Sequence, residues 1–235
     1  MKNWIIVAGI AGLMSLQACD NEDKINGRII LDSEFETNAE EWMGGFAEYE
    51  AATDTATLEM RFGRTLLPAV IDTTRYGLRI QSHNRSDDMF MFVKKKVTGL
   101  RPGTTYQVSF DIQVATPFTD KGVGAGGSSG GATHMKAGAS FQEPVVKLEN
   151  GRYTINIDKG NQSEGGKEMV ILGNISNGLD QDGYALVSRS NGSNPVAVTA
   201  DASGSIWLCV GTDSGFEGRT ILYYDRIKAT ITQQN

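Results

Sequence analysis

The chain has 235 residues, with 22 Lys and Arg against 28 Asp and Glu, a formal net charge of −6 at pH 7 and 28 glycines. This length is ample for a single hydrophobic core. The longest basic run is Lys94-Lys95-Lys96, and so acidic a chain with so short a basic run is expected to have no nucleic-acid partner. The many glycines favour a chain of β-strands joined by turns.

The first residues predict export and lipidation. Lys2 precedes an apolar run, residues 4–16, that is too short to span a membrane because a spanning helix needs roughly 20 residues. The run LQAC at 16–19 then resembles the lipobox of bacterial lipoproteins. The resemblance implies a signal peptide over residues 1–18 and diacylglycerol on Cys19, a lipid that holds a protein stably on a membrane. An ordinary secretory signal with an unrelated cysteine is the alternative.

The segment after the lipobox bears on location. Residues 19–27 begin with acidic side chains, and this tether resembles the export signal that sends lipoproteins of Bacteroidota to the outer face of the outer membrane. The resemblance implies a cell-surface lipoprotein, with an anchor that faces the periplasm as the alternative. We expect residues 28–235 to form a single β-sandwich domain.

The rest of the chain predicts a succession of short strands. The clearest is 106–114, where apolar and polar side chains alternate with period 2, as in a strand with one buried and one solvated face. The apolar run 89–93 predicts a strand that is buried on both faces. No stretch of eleven or more residues keeps a helical period, so the chain is predicted to be all-β. Further strands are expected, in chain order, at 28–32, 57–62, 69–72, 78–81, 145–148, 153–157, 169–172, 184–187, 196–198, 205–210 and 221–229.

Two connections are informative. Residues 119–133 contain six glycines and predict a mobile loop, because they bury too little apolar surface to offset the entropy of ordering. A phosphate cradle needs a helix directly after such a loop, and no helical period follows, so no nucleotide site is expected. Asn150-Gly151 predicts a hairpin turn.

Residues near both ends of the expected domain carry a resemblance. Phe35-Glu36 followed by Trp42, and the strand 221–229 with Asp225 in it, resemble the first and last strands of galactose-binding-like jelly rolls, which include many carbohydrate-binding modules. The resemblance implies an antiparallel β-sandwich with jelly-roll topology.

The closing strand also predicts an unusual carboxylate. Strict alternation places Asp225 on one face with Ile221, Tyr223 and Ile227, and a carboxylate on an apolar face must be paired, protonated or bound to metal. In the jelly rolls that the chain resembles, a structural calcium often joins the opening and closing strands. That implies Ca²⁺ held by Glu36 and Asp225, with a plain ion pair or a capping carboxylate as the alternative.

A polar turn between two expected strands is the candidate ligand site. Its side chains offer the groups that hydrogen-bond sugar hydroxyls, and its two aspartates could equally hold Ca²⁺ through oxygen ligands. The alternative is a solvated turn whose polar groups satisfy the local backbone. The candidate residues are His83, Asn84, Arg85, Asp87 and Asp88.

Exposed aromatic side chains are the other requirement for sugar binding, because pyranose rings stack on flat apolar surfaces. Trp42 is expected in a loop, and Phe118 and Phe216 flank glycine-rich turns. We predict Trp42, and then Phe216, as stacking platforms. The alternative for each is a place in the core.

These features favour a non-catalytic module that binds a glycan or polysaccharide at the cell surface. The alternative is a structural or protein-interaction lipoprotein, such as an adhesin or assembly subunit, which would bind a surface protein partner through an apolar patch.

An enzyme is the least favoured reading. Residues 136–138, Lys-Ala-Gly, followed by Gln142, resemble the third signature segment of jelly-roll alginate lyases, and Gln81 and His83 lie upstream, where that family also uses Gln and His. However, Ser140 stands where the lyase needs a Tyr as general base and acid. Without that Tyr the proton transfer fails, so no catalytic residue is expected.

Overall fold

The computed structural model describes residues 27–234. The predicted signal peptide, the predicted lipidation site at Cys19 and nearly all of the predicted tether lie outside these residues. Within them the only helix is a short 3₁₀ turn at Thr55–Leu58, and no helix is long and apolar enough to cross a membrane.

Fifteen β-strands account for the regular structure of residues 27–234. In chain order they are β1 (Arg28–Ser33), β2 (Met43–Ala47), β3 (Tyr49–Glu50), β4 (Arg61–Leu66), β5 (Tyr76–His83), β6 (Met89–Val97), β7 (Thr105–Thr116), β8 (Thr133–Ser140), β9 (Val146–Glu149), β10 (Arg152–Ile155), β11 (Met169–Asn174), β12 (Ala185–Ser190), β13 (Val196–Thr199), β14 (Ile206–Ser214) and β15 (Arg219–Gln233).

The strands form two large antiparallel sheets and one small one. Sheet A has the order β12-β7-β15-β5-β4, and β1 and β13 pair with β15 and β7. Sheet B has the order β11-β8-β14-β6-β2, and the small sheet has the order β3-β10-β9. Between the two large sheets the chain crosses directly from β1 to β2, β5 to β6, β6 to β7, β7 to β8, β11 to β12, β13 to β14 and β14 to β15. This strand order is that of a jelly roll, so the predicted fold is confirmed.

The main core lies between sheets A and B. On β7 the side chains of Val108, Phe110 and Ile112 are fully or almost fully buried. Gln107 and Gln113, on either side of this stretch, are half-exposed. The predicted alternation over 106–114 is therefore confirmed. It gives sheet A one face in the core and one face in solvent.

Two expected strands are placed wrongly. Residues 57–62 divide between the 3₁₀ turn, whose first turn Asp54 caps with its side chain, and the start of β4. Residues 69–72 form a turn, in which Asp72 Oδ1 accepts hydrogen bonds from the backbone nitrogens of Thr74 and Arg75. Both errors arise because an aspartate stabilises a local turn more than the apolar side chains stabilise a strand.

A segment between β8 and β11 covers the outer face of sheet B. This cover segment, residues 141–168, includes β9 and β10. Phe90 and Phe92 point out of sheet B and yet are almost fully buried, because Ile157 and the partly buried Ile155 of the cover segment pack on the same cluster. The prediction of a strand buried on both faces at 89–93 is confirmed. The cover segment closes the outer face of sheet B around Phe90 and Phe92, whereas Met43 and Lys96 at one end of that face are exposed.

We expect Gly138→Ala to destabilise the protein by about 1–3 kcal/mol, the usual cost of overpacking. Gly138 lies on β8 under the cover segment, and an added Cβ would stand 1.8 Å from the backbone oxygen of Glu168. The matched control is Gly63→Ala on β4, where no atom lies within 4 Å of the added Cβ. Urea unfolding of both variants tests this, and equal losses would contradict the close packing of the cover on sheet B.

Candidate functional site

A cluster of buried charges lies under the cover segment. Lys136 is fully buried, and its Nζ donates to Asp213 Oδ2 at 2.7 Å and to the backbone oxygens of Lys159 and Glu164 at 2.8 and 2.9 Å. Lys159 donates to the same oxygen of Asp213 at 2.8 Å. Burial alone would raise the pKa of Asp213, but Lys159 and Lys136 outweigh burial and hold that pKa below its ordinary value. The cluster therefore ties the cover segment to sheet B.

Asp88 lies at the edge of this cluster. Arg152, on β10, donates to Asp88 Oδ2 at 3.2 Å, and Lys159 Nζ lies 3.9 Å from Asp88 Oδ1. Burial raises the pKa of Asp88 to about 7; Lys159 opposes the rise and Asp213 adds to it. Basic side chains of the cover segment therefore engage the carboxylate of Asp88, and a ligand role for it stays a prediction.

The rest of the polar turn divides into internal and exposed residues. Asn84 is 2% exposed, and its Nδ2 donates to the backbone oxygens of Ser214 and Phe216 at 2.8 and 3.1 Å. The ligand role predicted for Asn84 is wrong, since this amide pins the turn to the loop after β14. Arg85 and Asp87 are exposed, and their ligand role stays a prediction.

The aromatic side chains predicted as platforms are packed inside the protein or against its loops. Trp42 is 3% exposed, belongs to the main core, and donates from Nε1 to Ser33 Oγ at 3.1 Å. Phe216 is half-buried, and its ring fills the space that a Cβ at Gly124 or Gly218 would take. Trp42 is therefore not a stacking platform, because its flat faces are covered.

The two carboxylates predicted to hold calcium do come together, around an arginine. Asp225 is fully buried, and its Oδ2 accepts from Arg75 Nη2 at 2.6 Å, while Arg75 Nε lies 3.8 Å from Glu36 Oε1. Arg64 donates from Nε to the backbone oxygen of Phe35 at 2.6 Å and from Nη2 to that of Glu36. Burial raises the pKa of Asp225, and Arg75 acts against the rise.

This arrangement does not fit Ca²⁺. The ion takes about 6–8 oxygen ligands, whereas the oxygens of this seam face the guanidinium groups of Arg64 and Arg75. Among residues 27–234 no group of three or more His, Cys, Asp or Glu side chains is placed to hold a metal. The contacts correspond to the ion-pair alternative.

A β-bulge overturns the face predicted for the closing strand. The register of β15 against β7 shifts between Tyr224 and Arg226, so that Asp225 is the extra residue. Tyr224 and Ile227 are both buried, whereas Tyr223 and Arg226 are half-exposed. Tyr223 therefore lies on the outer face of sheet A and does not share the buried face of Ile227.

Tyr223 forms an aromatic pair on that outer face. Its ring packs edge-on against Tyr184, which stands just before β12, with centroids 5.8 Å apart and planes at 76°. Burial raises the pKa of Tyr184 to about 12, Tyr223 adds to the rise, and Arg79 and Arg219 act against it. Two guanidinium groups therefore lie beside two half-exposed tyrosines.

Polar side chains of β5 continue this surface. Arg79 donates to Gln81 Oε1, and Gln81 Nε2 donates to the backbone oxygen of Glu59 at 3.2 Å. His83 Nδ1 lies 3.5 Å from Glu59 Oε1, and Arg219 Nη1 lies 3.8 Å from Glu59 Oε2. The carboxylate of Glu59 thus orders the side chains around it.

We call this surface the β5–β15 face. A depression of about 430 Å³, lined in part by Arg61 and Arg79, borders it along β4. His83 is the one predicted site residue that lies on the face, and the tyrosines and arginines were missed. The face comprises Glu59, Arg61, Arg79, Gln81, His83, Tyr184, Arg219 and Tyr223.

The segments that resemble a lyase do not converge. Lys136 lies on sheet B, buried against Asp213, whereas Gln81 and His83 lie on the outer face of sheet A. Ser140, at the place of the missing Tyr, is also on sheet B. The side chains that such a reaction needs on one surface therefore lie on different sheets.

No family model matches the chain, and no curated protein does. Among solved structures, the chain is similar to the carbohydrate-binding module TmCBM61 in complex with β-1,4-galactotriose (8% identity, TM-score 0.38, 83% of this chain and 92% of that one). It is also similar to a family 11 carbohydrate-binding module of a Clostridium thermocellum cellulase (11%, 0.36, 88% and 95%). A third similar structure is a Stig cyclase from Fischerella (9%, 0.35, 83% and 86%). Similarities of this size assign no ligand.

We expect the stability of the wild type relative to Asp88→Asn to increase as the pH falls from about 8 to about 5. Asp88 has a pKa of about 7 in the folded chain and about 3.9 when unfolded. Between these values the folded state holds the extra proton, so stability falls by roughly 1 kcal/mol for each unit that pH rises.

Urea unfolding at several pH values tests this prediction, with Asp87→Asn at the exposed neighbouring residue as the matched control. Burial lowers the pKa of His134, so its contribution to the pH dependence of stability has the opposite sign. That contribution is the same in each variant and cancels when their stabilities are subtracted. Parallel curves for the wild type and Asp88→Asn would contradict the burial of Asp88 in the charge cluster.

We expect a chelator to leave the melting temperature unchanged. We expect Arg75→Met to lower the free energy of unfolding by about 1–3 kcal/mol, because the substitution leaves the buried Asp225 carboxylate without its donor. The control is Arg226→Met, which breaks a surface pair with Asp32 worth about 0–1 kcal/mol. Thermal unfolding with and without EDTA measures both effects. A fall in melting temperature on adding EDTA would restore the calcium hypothesis.

Proposed function

We propose that this chain is a non-catalytic carbohydrate-binding domain that holds a glycan on the β5–β15 face. The observation that carries the proposal is the half-exposed Tyr184–Tyr223 pair, set among hydrogen-bonding side chains on an open sheet face. The cover segment takes up the outer face of sheet B around Phe90 and Phe92, so we place the ligand on the outer face of sheet A, where Tyr184, Tyr223 and Arg219 reach the surface.

The chemistry of this face suits sugars. A pyranose ring has C–H groups that pack on an aromatic side chain, and its hydroxyls both donate and accept hydrogen bonds. The guanidinium of Arg79 donates and the carboxylate of Glu59 accepts, while the buried amide of Gln81 holds both in place through its own hydrogen bonds. Apolar contact combined with a few fixed polar groups is the usual composition of a small-molecule site.

The proposed location is the cell surface. The lipobox-like run at 16–19 and the acidic tether support a lipid anchor on Cys19 in the outer membrane, with the domain facing outward. An anchor that faces the periplasm is the alternative.

A protein partner is the second candidate, and one observation favours it. Strand β9 lies at an edge of the small sheet, so one of its two backbone edges is unpaired in that sheet. It also carries Leu148, which is 57% exposed. An exposed edge strand of this kind accepts an added strand from another chain. A partner of this kind would leave the tyrosine pair uninvolved.

We expect the purified protein to bind glycans on an array, and Tyr184→Ala and Tyr223→Ala each to weaken that binding roughly tenfold, the effect of losing about 1.4 kcal/mol of aromatic contact. Isothermal titration with the glycans that bind on the array gives the affinities.

The chain offers a matched control in Tyr153→Ala. Tyr153 stacks on Tyr49 in the small sheet, with centroids 4.8 Å apart, and lies away from the β5–β15 face. If Tyr184→Ala and Tyr223→Ala leave binding intact and Tyr153→Ala abolishes it, the glycan site lies at the small sheet and not on the β5–β15 face. If no plant, algal, host or bacterial glycan binds, the proposed function is wrong.

A further inference from the structure

The charge of the β5–β15 face is opposite to that of the chain as a whole. The chain has a formal net charge of −6, but this face presents three arginines and a histidine against a single carboxylate, that of Glu59. A local reversal of sign on an acidic protein concentrates ligands of the opposite charge at that place and repels them elsewhere.

The strand register arranges the arginines around Gln81. Arg61, on β4, is paired with Gln81 itself, and Arg79 lies two residues away on the same face of β5. Arg219, on β15, is paired with His83, two residues away in the other direction. Neighbouring strands lie about 4.8 Å apart and residues i and i+2 about 7 Å apart, so the three arginines surround one sugar-sized area.

These arginines are only partly neutralised by the protein. Within residues 27–234, Arg61 and Arg79 make no ion pair, and the nearest carboxylate to Arg219 is Glu59 at 3.8 Å. In Arg79 the Nε is buried and Nη2 already donates to Gln81 Oε1, so the remaining N–H groups of this guanidinium are the ones that a ligand can meet. A planar guanidinium with free donors binds carboxylate or sulfate through two parallel hydrogen bonds.

We propose that the β5–β15 face selects an anionic polysaccharide, whose carboxylates or sulfates pair with Arg61, Arg79 and Arg219 while a sugar ring packs on Tyr184 and Tyr223. This inference rests on the proposed function and narrows its ligand to acidic glycans. Glu59 then contacts hydroxyls between the charged groups.

The test compares charged polymers with their neutral counterparts. The purified protein is titrated with alginate and carboxyl-reduced alginate, and with dextran sulfate and dextran. We expect binding to at least one charged polymer, at least tenfold weaker binding to its neutral form, and a loss of affinity as salt rises, because salt screens the ion pairs. The two charged polymers distinguish carboxylate from sulfate.

Single substitutions then locate the charge. Arg61→Gln, Arg79→Gln and Arg219→Gln should each weaken binding of the charged polymer about tenfold, whereas Arg101→Gln, at an exposed position before β7, should leave it unchanged. An equal loss of affinity in Arg101→Gln would overturn the inference, since it would show that any surface arginine attracts the charged polymer and that the β5–β15 face has no special role.

The outcomes also separate this inference from the proposed function. Binding of neutral glycans that depends on Tyr184 and Tyr223 but is unaffected by the arginine substitutions would overturn the acidic-glycan inference and keep the glycan-binding domain. No binding of any glycan, charged or neutral, would overturn both.

Discussion

The contact between Lys136, Lys159 and Asp213 decides which surface of this sandwich is available. A buried carboxylate that accepts from two ammonium groups is costly to desolvate, and it is stable only with all of its partners present. Lys159 and two of the backbone oxygens that Lys136 needs belong to the cover segment. The cover segment must therefore stay on sheet B, and sheet A is left as the open sheet.

The sequence contained one clear sign of this cover. An apolar run at 89–93 with no alternation means that both faces of a strand are buried, and in a two-sheet sandwich the second face needs something outside the sheets. What the sequence could not supply was the partner of Lys136. Its counter-ion Asp213 is 77 residues away along the chain, and short-range periodicity carries no information about such a contact. Most strands followed from alternation and turns, and the jelly-roll topology from the resemblance of the first and last strands; the charge cluster followed from neither.

The predicted site was displaced by a few residues, for a general reason. The turn at 82–88 is rich in groups that could bind a ligand, but short polar side chains in turns satisfy the nearby backbone first. Asn84 does this, and Asp88 is used by the cover segment. On the strand just before the turn, alternation alone already directed Arg79 and Gln81 away from the core. There Gln81 is itself covered and bonded to Arg79 and to the backbone of Glu59, so alternation gives the face of a side chain but not whether its groups are free.

The β-bulge in β15 links the seam of the sandwich to the proposed site. One extra residue, Asp225, reverses the alternation, so Tyr223 faces outward before it and Ile227 faces inward after it. The extra residue brings a carboxylate into the protein, and Arg75 supplies its positive partner. The ion pair neutralises this carboxylate as a metal ion could, and it also fixes the orientation of the carboxylate, because a guanidinium binds in the plane of the carboxylate. The outward orientation of Tyr223 thus goes together with the bulge at Asp225, whose buried carboxylate is held by the partly exposed Arg75.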